Sequence, residues 1–228
     1  MRRLVTLLTL MGPLISCSDT SHDPASNATT DAMTASLSGS PSALIWQGQC
    51  AACHGVAGEG NKALGAPGLT QLSADYIARQ LKHFVSGVRG AETGDKAGKR
   101  MALSVANLSE VDIPKLAQLI TTELPPTEST ATLRGDAARG EDYYINICSA
   151  CHGGNGQGND ALGAPALAGV NDWYLKSSYE SYLEGFRGTH TNDFYGLQMA
   201  RLAPALANSD DINDVVAFIA TLPPQRSP

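Results

Sequence analysis

"CAACHGVAGEGNKALGAPGL" occupies residues 50–69, and "CSACHGGNGQGNDALGAPAL" occupies residues 148–167. The second stretch repeats the first at an offset of 98 residues. The offset runs on without a gap far beyond these stretches. Tyr76 maps onto Tyr174, Gly87 onto Gly185, and Arg89-Gly90 onto Arg187-Gly188. Met101 maps onto Met199, and Leu124-Pro125-Pro126 onto Leu222-Pro223-Pro224. A single offset held over a whole domain length marks a tandem duplication. The first unit spans 42–126 and the second 136–228. Residues 127–135 form a short polar connector with no apolar periodicity.

Each unit reads as helical. "ALIWQGQC" and "AARGEDYYINIC" lead into the cysteine motifs, and a Gly-rich loop follows. In "SADYIARQLKHFVSG" the spacing of Tyr76, Ile77, Leu81 and Phe84 predicts a helix with Ser73 as its N-cap. "NDWYLKSSYESYLEG" is its partner. A last helix is predicted from "SEVDIPKLAQLITTEL", with Ser109 and Asp112 as a capping box and Pro114 near the first turn. In its partner, "SDDINDVVAFIATL", Ile212, Val215, Val216 and Ile219 share one face. No run alternates as strands do. The expected fold class is all-α, a tandem pair of small domains.

The pentapeptides "CAACH" and "CSACH" read as attachment sites for c-type haem. Two thiols bond the vinyl-derived carbons of the porphyrin, and the adjacent histidine lies under the iron. A redox dithiol needs no trailing histidine. A structural zinc site would need a fourth ligand and usually a different histidine spacing. Two matches at one offset, behind an export signal, leave haem as the reading. The composition agrees. Only 6% of residues are aromatic and 17% charged, so a domain of this size has a thin core of its own. A large apolar macrocycle in each unit supplies the missing buried surface. Two covalent haem c groups are therefore expected.

Met101 lies 47 residues after His54, and Met199 lies 47 residues after His152. The other methionines, Met1, Met11 and Met33, are near the N-terminus. The remaining histidines fail the repeat test: His83 aligns with Ser181, His190 with Glu92, and His22 precedes both units. The spacing points to His/Met ligation of each iron, which fills both axial positions and raises the reduction potential. Filled axial positions favour moving electrons over making bonds. Arg89 and Arg187 have two readings, as partners of haem propionates or as solvated arginines at a helix end. The units part company near the methionine. "AETGDKAGKRM" in the first faces "THTNDFYGLQM" in the second, so the two haems are expected to differ in potential and in partner face.

On these residues the chain resembles the class I dihaem cytochromes c, and within them the cytochrome c4 family. The carriers are "CAACHG" and "CSACHG", the "GAP" before Leu69 and Leu167, "SGVRG" and "EGFRG", and "RMALSVANLSEVDI" with "QMARLAPALANSDDI". The resemblance covers 42–225. It implies two all-helical haem domains facing each other across a pseudo-twofold axis. It implies thioether cysteines at Cys50, Cys53, Cys148 and Cys151, and iron ligands at His54, Met101, His152 and Met199. It also implies that the carbonyls of Pro67 and Pro165 accept a hydrogen bond from the proximal imidazoles, fixing ring orientation.

Four cysteines are used by two haems, and Cys17 remains. Met1-Arg2-Arg3 and the apolar run to Ile15 read as a signal peptide, too short for a comfortable membrane span. In "LISC" Leu14 stands three before the cysteine and small Ser16 directly before it. That resembles a bacterial lipoprotein processing site, with Cys17 retained and acylated after removal of the signal in 1–17. The other reading is an ordinary secretory signal with an unused cysteine. Residues 18–41, rich in Ser, Thr, Asn and Ala, read as a flexible tether with a reach of about 25–30 Å. Without Arg2 and Arg3, 14 basic residues face 22 acidic ones, a net charge of −8. Nothing in that balance favours nucleic acid. The expected protein is a dihaem electron carrier, lipid-anchored to a membrane in the bacterial periplasm. Its partners would be redox proteins, a quinol-oxidising complex or dehydrogenase as donor and a terminal oxidase or reductase as acceptor. A fixed cytochrome subunit of a larger redox enzyme is the alternative. A dihaem peroxidase is a third reading, which the matched methionines oppose.

Overall fold

The computed structural model describes residues 39–206 and 208–224. Cys17, the signal segment, His22 and most of the tether lie outside the described residues. In the first half, α1 (Pro41–Ile45) continues through a π-helical turn (Trp46–Cys50) into α2 (Ala51–His54). Next come α3 (Ala74–Val85), α4 (Lys96–Val105) and α5 (Ile113–Thr122). The second half repeats the order: α6 (Ala137–Tyr143), a π-helical turn (Tyr144–Cys148) and α7 (Ser149–His152), then α8 (Asp172–Leu183), α9 (Phe194–Leu202) and α10 (Ser209–Ile219). Among the described residues, strand pairing is confined to Gly60–Asn61 against Ala66–Pro67 and to an isolated bridge between Asn159 and Ala164. The all-α expectation holds.

Caps set most helix starts. The Ser73 hydroxyl accepts from the Tyr76 amide as expected. The Asp95 and Asp193 carboxylates accept from the Gly98 and Gly196 amides and start the two methionine-bearing helices. Asn208 caps α10 through the Asp211 amide. The expected capping box at Ser109 is not formed. Helix α5 begins at Ile113, with Asp112 as a cap residue that makes no side-chain cap bond. Ser109 instead sits in a preceding turn, where its carbonyl accepts from the Asp112 and Ile113 amides. Pro114 explains the shift: it occupies the first turn, where its missing N–H costs nothing.

The amphipathic faces close on each other. Tyr76, Ile77, Leu81 and Phe84 of α3 pack with Trp46 and with Leu116, Leu119 and Ile120 of α5. In the second half Ile212, Val215, Val216 and Ile219 of α10 pack around Tyr144. There α6 meets α10 closely: a Cβ at Gly140 would come within 1.9 Å of the Asp214 carbonyl oxygen, so only glycine permits the crossing.

The halves form a single compact unit and share a seam of reciprocal contacts. Arg89 of the first half reaches the Tyr174 hydroxyl at 3.4 Å, and Arg187 of the second reaches the Tyr76 hydroxyl at 3.2 Å. These pairs exchange under the 98-residue offset, the pattern of a twofold interface. The connector is pinned to both halves. Thr127 bonds Thr70 and Gln71, while Thr132 and Leu133 donate to Asp172.

Candidate haem-binding clefts

Each half contains a predominantly apolar cleft that opens to solvent. An apolar wall with a few convergent polar groups is the usual setting of a cofactor site. Cys50, Cys53, His54, Pro67, Met101 and Arg89 all line the first cleft. Cys148, Cys151, His152, Pro165, Met199 and Arg187 all line the second. Residues 47 apart in sequence thus come to one site, twice. His83 and His190 line neither. His83 lies at the seam, its Nδ1 3.7 Å from the Asp193 carboxylate, and His190 is exposed.

The π-helical turn explains how the cysteines are presented. In both halves it ends on the first cysteine, and the following amide bonds a carbonyl five residues back: Ala51 to Trp46, Ser149 to Tyr144. Trp46 and Tyr144 are 1% and 0% exposed and anchor this wider turn. The Trp46 indole donates to the Val56 carbonyl at 3.1 Å, and the Tyr144 hydroxyl to the Gly153 carbonyl at 2.6 Å. Each aromatic therefore fixes the chain just past the histidine. Sequence reasoning missed this pair, although the two positions match under the repeat offset.

The histidines are held identically. Nδ1 of His54 lies 2.8 Å from the Pro67 carbonyl, and Nδ1 of His152 lies 2.8 Å from the Pro165 carbonyl. A carbonyl only accepts, so Nδ1 carries the proton and Nε2 keeps its lone pair. Burial pushes both imidazoles down, which favours the neutral, ligating form; the proline carbonyls oppose it more weakly. Glycine makes the proline carbonyl available. Gly60 and Gly158 sit at φ +90° and +83°, and a Cβ there would meet the backbone nitrogens of Gly68 and Ala166 at 2.4 and 2.6 Å.

The thiols are not those of a redox dithiol. Burial, and then the neighbouring thiol of each motif, pushes Cys50 and Cys148 up to about 11, whereas a dithiol catalyst needs a low thiol pKa. Among the described residues, no group of three or more His, Cys, Asp or Glu is placed to hold a bare metal ion.

The arginines supply a separate test of fit. The solvated-arginine reading fails for Arg187, which is 5% exposed. Its guanidinium stacks over Tyr182 and donates to Ser178, Tyr76 and Gln80. Arg89 stacks over Phe84 and donates to Gln80 and Tyr174. In both, Nε is buried without a hydrogen-bond partner. Burial would raise the Tyr174 phenol, yet Arg89 and Arg187 bring it down to about 8. Two unbalanced cations with orphaned donors, each on the wall of a cleft, fit the carboxylates of a haem propionate edge.

A family model for cytochrome c matches residues 42–122 and again 137–223. The chain belongs to the cytochrome c family. Cytochrome c4 of Azotobacter vinelandii is 30% identical over 71% of this chain and 79% of its own length. The thiosulfate dehydrogenase electron acceptor of Thiomonas intermedia is 31% identical over 60% of this chain and 64% of its own. The structure of cytochrome c4 from Pseudomonas stutzeri aligns with a TM-score of 0.60 at 25% identity, covering 85% of this chain and 98% of that one. This cytochrome is thus a dihaem c4-type protein, all-α, with two covalently bound haem c groups, and an electron carrier.

Proposed function

We propose that the two clefts hold haem through Cys50 and Cys53 in the first half and Cys148 and Cys151 in the second. His54 with Met101, and His152 with Met199, would hold the iron. The observation that carries this reading is the convergence of each set on one cleft wall at matching positions. Bound haem supplies a one-electron couple. The chain's residues do the rest. The Pro67 and Pro165 carbonyls orient the imidazoles, Arg89 and Arg187 would neutralise the propionates, and thioether bonds from the cysteines would prevent loss of the group. Met101 and Met199 would hold the iron against small-molecule access, which would keep substrates away and favour electron exchange. Replacing either Met101 or Met199 with Ala should halve the sulfur-to-iron band in the near-infrared spectrum of the oxidised protein. It should also lower the potential of one haem. A full band in either variant would show the assignment to be wrong.

The same reading places the carrier in the bacterial periplasm, between a quinol-oxidising complex or dehydrogenase and a terminal oxidase or reductase. The relative named as an electron acceptor for thiosulfate dehydrogenase supports a dehydrogenase as donor. Cys17, with "LISC" before it and the polar stretch after it, supports a lipid anchor. No helix among the described residues is long and apolar enough to cross a membrane. Wild type should sediment with membranes and require detergent for release. A form with a cleavable signal fused before Ser42 should be soluble with an unchanged visible spectrum. Sedimentation of that shortened form would point to a protein anchor and to the fixed-subunit alternative.

A further inference from the structure

We propose that the mouth of the first cleft is a docking site for a redox partner with an acidic patch, and that the second mouth is not. This rests on the electron-carrier reading and adds to it a side and a partner chemistry. The repeat makes each mouth a control for the other. In the first, α4 exposes Lys96, Lys99 and Arg100 directly before Met101. At the same offset the second half has Phe194, Leu197 and Gln198. Arg100, Leu64 and Leu103 line the cleft itself. Arg100 donates to the Leu64 carbonyl at 2.9 Å, which holds its charge at the lip. Leu64 and Leu103 are 45% and 72% exposed. The mouth is therefore an apolar centre edged with cations, the arrangement of a charge-steered encounter surface.

A solvated helix face does not explain these charges. Lys96 and Lys99 occupy the first turns of α4, the end where the helix dipole disfavours cations. Neither lysine takes part in an ion pair among the described residues. The chain as a whole carries a net charge of −6, so the patch runs against the overall sign. Two lysines placed against both helix stability and the global charge, beside an arginine held at the lip, have their use outside the chain. A partner with clustered carboxylates gains from them in encounter rate, and loses that gain as salt rises.

The test uses the full holoprotein and a Lys96→Glu/Lys99→Glu variant. Hexacyanochromate(III), a redox-inert paramagnetic anion, is titrated while amide resonances are followed by NMR. Broadening should centre on residues 96–104 and 62–65, spare 194–202, and vanish in the variant. In stopped flow at low ionic strength, oxidation of the reduced variant by ferricyanide should slow by about tenfold, and oxidation by a cationic cobalt(III) complex should speed up. Equal broadening at both mouths, or broadening that survives the charge reversal, overturns the docking site. The rates at high salt separate that outcome from a failed carrier. Rapid oxidation of wild type by both reagents keeps the carrier reading whatever the map shows, whereas no oxidation by either overturns both. An unaltered visible spectrum identifies a folded variant, and Lys96→Gln/Lys99→Gln should give an intermediate rate.

Discussion

The two halves of this cytochrome share their attachment sequence and the same 2.8 Å histidine–carbonyl bond, yet they are built differently around it. Among the described residues, the first packs fifteen of its own buried side chains, Trp46, Phe84, Leu116 and Ile120 among them, into a core that Val170 of the second half also joins. The second packs six around Tyr144 and α10. At the seam the order reverses. Arg187 is buried and donates to three residues, while Arg89 is half-buried and donates to two. The positions that meet the haem stayed paired within the repeat. The arginine–tyrosine pairs of the seam also match within the repeat, whereas the exposed residues before each methionine differ.

The difference in cores predicts unequal dependence on haem, and this is the largest expected effect. Replacing Cys148 and Cys151 with Ser should remove hydrogen-exchange protection from α10 by an amount approaching the global stability. The matching change at Cys50 and Cys53 should leave α5 partly protected, since its apolar face still has Trp46 and α3 to cover it. Equal loss in both variants would show that core size does not set the dependence.

The arginines give the next largest contrast. Arg187→Ala leaves a buried seam without its cation and should cost about 3–5 kcal/mol in denaturant unfolding of the holoprotein. Arg89→Ala, at a half-buried position with fewer partners, should cost about 1–3 kcal/mol. A reversed order would mean that the haem edge, rather than the seam, dominates both sites.

The smallest effect concerns the connector. Burial would raise the Asp172 carboxyl, but bonds from the Leu133 and Thr132 amides, the Thr132 hydroxyl and the Trp173 amide outweigh it and hold it below the usual range. A depressed carboxyl contributes stability above its unfolded value, near 3.9, and loses that contribution as pH falls through the folded value. Asp172→Asn should therefore lower Tm at neutral pH, by about 1–3 kcal/mol of stability, and the gap to wild type should close on acidification. A gap that persists in acid would assign the effect to packing.

The sequence alone determined the duplication, the helical class and the cysteines, histidines, methionines and prolines that meet on each cleft wall. Those features follow from local chemistry and spacing: a pentapeptide that suits one cofactor, an apolar period of a helix, a methionine at an equal interval in each unit. It also placed Ser73 as a cap, because an N-cap bonds an amide only three residues away. Where a cap competed with a proline, at Ser109, the local signal misled. The roles of Trp46 and Tyr144 depended on tertiary structure, because nothing nearby in the chain says which carbonyl a buried donor will find. The arginines show the same limit more sharply. Their spacing was legible and both readings of it were open. Only the seam revealed that each reaches a tyrosine of the opposite half while its Nε stays buried and unpartnered. The connector, polar and without period, gave no sign that Asp172 would collect its amides. Contacts between residues far apart in the chain are fixed by how two folded surfaces meet, and that meeting leaves no period in either sequence.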